Sequence, residues 1–195
     1  MGRTTVKRAL PPVLLAGSVL FFVTACGMPP DRVVRNPEQG YEYRAPEGWN
    51  LFDEELRSRT GTLFTVKVLS LEDAKHDFLE GLPRSMLPEV ENWTKYYFVV
   101  DGAAEIKDST LGGEPAVEVT YRVRVRPQDP PGTAIYWVAR RGIGLYVVRV
   151  VFTPNPKQDD MPAVREILDS WRFVEPSGGR PLEEGGPPTI EVPEA

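Results

Sequence analysis

The sequence predicts an α+β domain, with short strands joined by tight turns and amphipathic helices packed on them. Three stretches carry that prediction. In 116–126, Val117, Val119, Tyr121, Val123 and Val125 alternate with Glu118, Thr120, Arg122, Arg124 and Arg126, so the strand has one buried and one wet face. Two apolar runs, 133–140 and 145–153, flank Arg141-Gly-Ile-Gly144 and read as a hairpin. In 71–82 and 161–168 the apolar positions recur at helical spacing instead.

Taken in order, the chain starts with Arg3, Lys7 and Arg8, continues through an apolar run over 13–23, and reaches Val23-Thr24-Ala25-Cys26. This order reads as an export signal over 1–25 ending in a lipobox. Cys26 is the expected lipidation site, carrying a thioether-linked diacylglyceryl group with palmitate-type chains. Two or more such chains hold a protein firmly, at about 0.8 kcal/mol per buried methylene. The apolar run is shorter than the ~20 residues of a membrane-spanning helix. Gly27, where some bacteria place an inner-membrane retention Asp, points to the outer membrane, facing the periplasm.

The precursor has a net charge of −5; losing the three basic residues of the signal leaves 20 basic against 28 acidic residues, a net charge of −8. That balance excludes a general nucleic-acid binder, which needs a basic footprint. Cys26 is the sole cysteine and His76 the sole histidine, so lipidation leaves no thiol for disulfides, catalysis or metal. No cofactor is expected, and no multi-histidine metal site fits within one chain. The folded part, 40–175, is long enough for one domain.

Residues 26–39 carry prolines and arginines without apolar periodicity and are expected to be a coiled tether spanning roughly 20 Å. Tyr41 and Tyr43 alternate with Glu42 and Arg44 as a strand, and Pro46 and Gly48 turn the chain before Trp49. Phe64, Val66 and Val68 share a face of a second strand. Ser70 caps a helix whose stripe is Leu71, Ala74, Phe78 and Leu82. Residues 89–100 read as a short helix running into a strand, and 108–115, with Gly112 and Gly113, as a turn. The second run of the hairpin, apolar on both faces, belongs at the centre of the sheet. Asp159 or Asp160 caps a final helix with Pro162 in its first turn and a stripe of Met161, Val164, Ile167 and Leu168. Ser170-Trp-Arg-Phe-Val174 closes the domain, and 176–195 reads as a disordered tail.

The order of Tyr41–Trp49 with its Pro-x-Gly-Trp turn, Leu111–Ala116, Gly144–Tyr146 and Ser170–Phe173 resembles the PsbP-like family. The resemblance covers nearly all of the mature domain. It implies an α/β/α sandwich, a mostly antiparallel central sheet flanked by helices on both faces. It also implies a binding protein, because the family shares no catalytic centre. The metal and docking sites of its photosystem member lean on histidines and lysines in extensions that this chain does not match.

Several constellations compete for a functional role. Glu72, Asp73, His76 and Asp77 lie opposite the apolar stripe of their helix and read as a solvated face. No Gly-x-Ser-x-Gly elbow occurs, and the glycines at 112–113 and 142–144 match no phosphate-binding pattern. Arg122, Arg124 and Arg126 would stand about 7 Å apart on one strand face, extended by Arg140 and Arg141 if the next strand pairs suitably. That row is the candidate partner-binding surface, set against a wet face neutralised by neighbours such as Glu118. Trp93, Tyr96, Tyr97 and Phe98 form a second candidate surface, an aromatic patch between helix and sheet, set against the commoner reading of such a group as core. The expectation is a non-enzymatic, membrane-anchored lipoprotein of the bacterial envelope that binds or assembles a protein partner. The alternative is a small-ligand or ion-binding lipoprotein serving a transporter or sensor.

Overall fold

The structure, a computed structural model, describes residues 32–53, 55–70, 83–153, 159–176 and 189–191. The lipobox with Cys26, the Ser70-capped helical stretch with its acidic cluster, and His76 lie outside the described residues. The strands are β1 (Arg32–Asn36), β2 (Tyr41–Ala45), β3 (Asn50–Phe52), β4 (Glu55–Arg57), β5 (Leu63–Ser70), β6 (Val99–Val100), β7 (Glu105–Leu111), β8 (Glu114–Arg124), β9 (Gly132–Arg141), β10 (Gly144–Phe152), β11 (Arg172–Phe173) and β12 (Thr189–Glu191). Helix α1 (Leu87–Tyr97) precedes β6, and α2 (Met161–Ser170) precedes β11.

Two sheets result. The larger runs β3-β4-β5-β10-β9-β8-β6, with β7 also on β8; the smaller runs β11-β2-β1-β12. Every pairing is antiparallel. Strand β10 sits centrally between β5 and β9, as its two apolar faces predict. One of its faces contributes Tyr146, Val148 and Val150 to a core with Tyr41, Tyr43, Val164, Ile167 and Trp171. The other contributes Leu145, Val147 and Val151 to a core with Met86 and Val90 beside α1. Tyr41 and Tyr43 stack on Trp171 at 5.0 and 5.5 Å, joining the small sheet to the C-terminal end of α2.

Several boundaries differ from the sequence reading, for physical reasons. The stretch expected as tether contains β1, whose Val34 is fully buried and whose residues pair with β2 throughout. Two apolar residues side by side, Val33 and Val34, are too short a run to show alternation. The tail expected to be disordered supplies β12, paired to Val33, Val34 and Arg35. Residues 108–111 belong to β7, and the turn is Gly112-Gly113 alone, both at positive φ. Strand β8 ends at Arg124, so Val125, placed by alternation on the buried face, is 68% exposed.

Candidate functional site

Helix α1 presents Val90, Trp93, Thr94 and Tyr97 at helical spacing towards the large sheet. Val90 and Thr94 are fully buried, whereas Tyr96 is 82% and Tyr97 57% exposed. Thr94 Oγ1 donates to the Val90 carbonyl at 2.7 Å and is hydrogen-bonded to the Tyr136 hydroxyl at 3.0 Å. Beside this contact the helix and the sheet part into a half-open groove of about 970 Å³. Trp93, Tyr96 and Tyr97 form one wall; Thr65, Lys67, Tyr136, Val147 and Arg149 lie along the sheet side.

The floor follows from strand register. Lys67 pairs across to Val147, and Arg149 lies between Thr65 and Tyr136, so these side chains share one face. Arg149 Nε donates to Thr65 Oγ1 at 3.1 Å, and its guanidinium sits 5.5 Å from the Tyr97 ring centre. The Lys67 ammonium is 4.7 Å from the Trp93 ring centre. Both cations thus rest on aromatic faces. Burial raises the Tyr136 pKa, with the Thr94 hydrogen bond and the Arg149 charge pulling the other way. Burial likewise raises Tyr121, edge-on to Tyr136 at 6.0 Å, to about 12. Both phenols stay neutral at physiological pH.

The solution structure of cyanobacterial PsbP, CyanoP, from Synechocystis sp. PCC 6803 matches with a TM-score of 0.52 at 14% identity, covering 77% of this chain and 96% of that one. The fold is PsbP-like. No protein-family model matches the sequence, and no curated protein matches it either. A PsbP-like fold leaves the site to be argued from its own residues.

The predicted arginine row is brought together only in part. Arg122 is exposed opposite Thr133. Arg124 is held by Asp101 at 2.7 Å and donates to the Pro127 carbonyl at 3.0 Å. Arg126 lies past the end of β8, where its backbone N–H donates to Asp129 at 3.0 Å. The β8–β9 register carries Arg140 and Arg141 to the far end of the hairpin, and Arg141 approaches Glu114 instead. Glu118 does not neutralise the row. It accepts from Lys107 at 2.7 Å and from the Trp137 indole at 3.0 Å.

Of the aromatic group, Tyr96 and Tyr97 are exposed and meet edge-to-face at 4.9 Å, while Trp93 and Phe98 are half-buried against the core beside α1. Sequence reasoning missed Lys67 and Arg149. The signal was present: Arg149 is the single charged residue of Leu145–Phe152, a run otherwise fit for the centre of a sheet. Among the described residues no helix is long and apolar enough to cross a membrane.

Proposed function

We propose that the chain is a non-enzymatic lipoprotein of the bacterial envelope, anchored through Cys26, that docks a protein partner. The observation that supports the reading is the half-open groove beside α1 with Tyr96 and Tyr97 on its wall, 82% and 57% exposed. Large aromatics left in water beside two cations resemble the anchor residues of a protein interface. The layering is taken as α/β/α, with the small sheet packed beside α2. The arginine row ranks behind the groove, because Arg124 is already paired and Arg126 is off the strand.

The link between anchor and fold is short on this reading. With β1 starting at Arg32, five residues separate Cys26 from the fold. Fully extended, they reach about 20 Å, which holds the fold at the membrane surface. A photo-crosslinking residue in place of Tyr96, in cells, tests the docking. One dominant adduct that disappears when the crosslinker is moved to exposed Arg172 is expected; equal labelling from both positions refutes it. Replacing Cys26 with Ser is expected to release the protein from the membrane fraction, and unchanged retention refutes the anchor. The small-ligand alternative draws on the groove's volume, and equilibrium dialysis against an envelope extract separates it from protein docking.

A further inference from the structure

Three arginines are half-buried among the described residues, and two of them are spoken for. Arg32 donates to the Trp49 carbonyl, and Arg124 pairs with Asp101. Arg149 has neutral partners alone among the described residues: the Thr65 hydroxyl at 3.1 Å, the Tyr97 ring and the Tyr136 hydroxyl. No carboxylate stands against it among the described residues. Lys67, on the same face, rests on Trp93 and likewise has no carboxylate there. Glu55, the one acidic residue lining the groove, is held by Arg57 at 2.5 Å. In a chain with more acidic than basic residues, a pair of cations held by aromatic rings and lacking counter-charges is a site for an anion.

The backbone beside these cations has a second unused capacity. Strand β4 pairs only with Leu63, Phe64 and Thr65 of β5. From Val66 to Leu69, β5 has β10 on one side and no strand on the other among the described residues. Such an edge offers unpaired N–H and C=O groups to an incoming strand. Val66, Lys67 and Val68 of this edge are also groove residues, so the free edge and the free charges lie in one place.

We propose that the groove takes an extended acidic segment of the partner, added as a strand to the β5 edge between Val66 and Leu69, with its carboxylates on Lys67 and Arg149. Strand spacing places the added strand about 5 Å from β5 and about 10 Å from β10. An acidic side chain on the groove face then stands beside Lys67, with Arg149 the next cation across β5 on the same face. Tyr96 and Tyr97 close over its outer side. The proposal rests on the docking reading above and adds the chemistry and conformation of the bound segment.

The test uses the full-length lipoprotein in detergent micelles and fluorescent synthetic peptides, read by anisotropy. One peptide alternates Glu and Val; a second alternates Lys and Val; a third is the Glu peptide with prolines replacing alternate valines, which removes strand donors. Binding of the first alone is expected, weakening with salt and weakening about tenfold or more in Arg149→Met and in Lys67→Met. Melting temperatures near the parent's show that both variants fold. Equal binding of the Lys peptide or the proline peptide overturns the proposal. So does the absence of binding, as when another segment of this chain or a second copy fills the edge. The Tyr96 crosslink separates the two failures. An adduct unchanged by Arg149→Met and Lys67→Met keeps the docking reading and rejects the acidic strand; no adduct and no peptide binding reject both.

Discussion

Asp160 offers the sharpest test of how α2 is held. It sits at the N-cap position, yet its side chain makes no capping bond to the helix. Its Oδ2 instead accepts from the hydroxyls of Ser58 at 2.9 Å, Thr62 at 2.6 Å, and Thr60. The residue is 7% exposed, so the carboxylate ties α2 to the β4–β5 turn from inside the protein. Burial pushes its pKa up, but the hydrogen bonds from Thr60, Thr62 and Ser58 outweigh burial and leave it below the ordinary carboxylate value. A hydrogen bond to a charged group contributes about 1.5–3 kcal/mol. In Asp160→Ala, Ser58 and Thr60, 2.7 Å apart, still satisfy each other, while Thr62 loses its partner. The expected net loss is therefore about 3 kcal/mol rather than the sum of three bonds. That corresponds to a Tm lower by about 6–12 °C for a chain of this size. Because the folded pKa is depressed, the stabilisation is present above the unfolded value of about 3.9 and fades as pH falls through the folded pKa. Urea titrations followed by tryptophan fluorescence should show parent and variant far apart at pH 7 and converging below pH ~4. A gap under about 0.5 kcal/mol at pH 7, or a gap independent of pH, would refute the account.

Three further outcomes are expected. Gly112 is at φ 55°, and a Cβ there would lie 2.7 Å from Trp171 Cδ1 and 2.9 Å from Phe173 Cδ2; Gly113, at φ 86°, has nothing within 4 Å of its Cβ position. Gly112→Ala should therefore lower stability in urea by about 2–3 kcal/mol and Gly113→Ala by about 1, and equal losses would count against the packing. Thr94→Val keeps the buried shape but leaves the Tyr136 hydroxyl without its 3.0 Å partner, for a loss of about 1–2 kcal/mol in the same assay. Ending the chain at residue 188 removes β12, and amide exchange should rise at Val33–Arg35 while β10 stays protected; unchanged exchange at β1 would refute the pairing.

The large sheet was legible because its residues obey a single rule each. Strict alternation placed β8, and the doubly apolar run placed β10 at the centre. Alternation also misled at its end: Val125 continues the pattern of Val117 to Val123 but runs past the last partner on β9, Gly132 opposite Val123. Strand β1 and β12 were invisible because a few residues pairing with distant segments leave no period to read. The groove was half legible. The aromatics of α1 stood out as a surface and Arg149 as the lone charge of its run, while it is register, setting β5, β10 and β9 side by side, that brings Lys67 and Arg149 to one face. The arginine row failed for the same reason in reverse, since spacing along one strand says nothing of which end the next strand's arginines reach.

Among the described residues the two faces of the large sheet are covered unequally, and the groove lies on the less covered one. On one face the small sheet and α2 are joined by the Tyr41–Trp171–Tyr43 stack, a broad cover that seals Phe64, Val148 and Val150. On the other, the described residues supply one helix of 11 residues. A helix of that length is about 16 Å long and about 10 Å wide, whereas four neighbouring strands of 8–11 residues present a face roughly 20 Å by 30 Å. Val90 and Thr94 seal the part of that face beneath the helix, against Tyr136 and the valines of β8. Beyond the helix the face carries Thr65, Lys67 and Arg149, polar groups that would be costly to bury without partners. The strand that supplies Lys67 is also the one whose edge β4 leaves half open. Among the described residues a short cover, a charged floor and an open edge thus meet at one place, and that coincidence supports the proposed docking surface more strongly than any one of them.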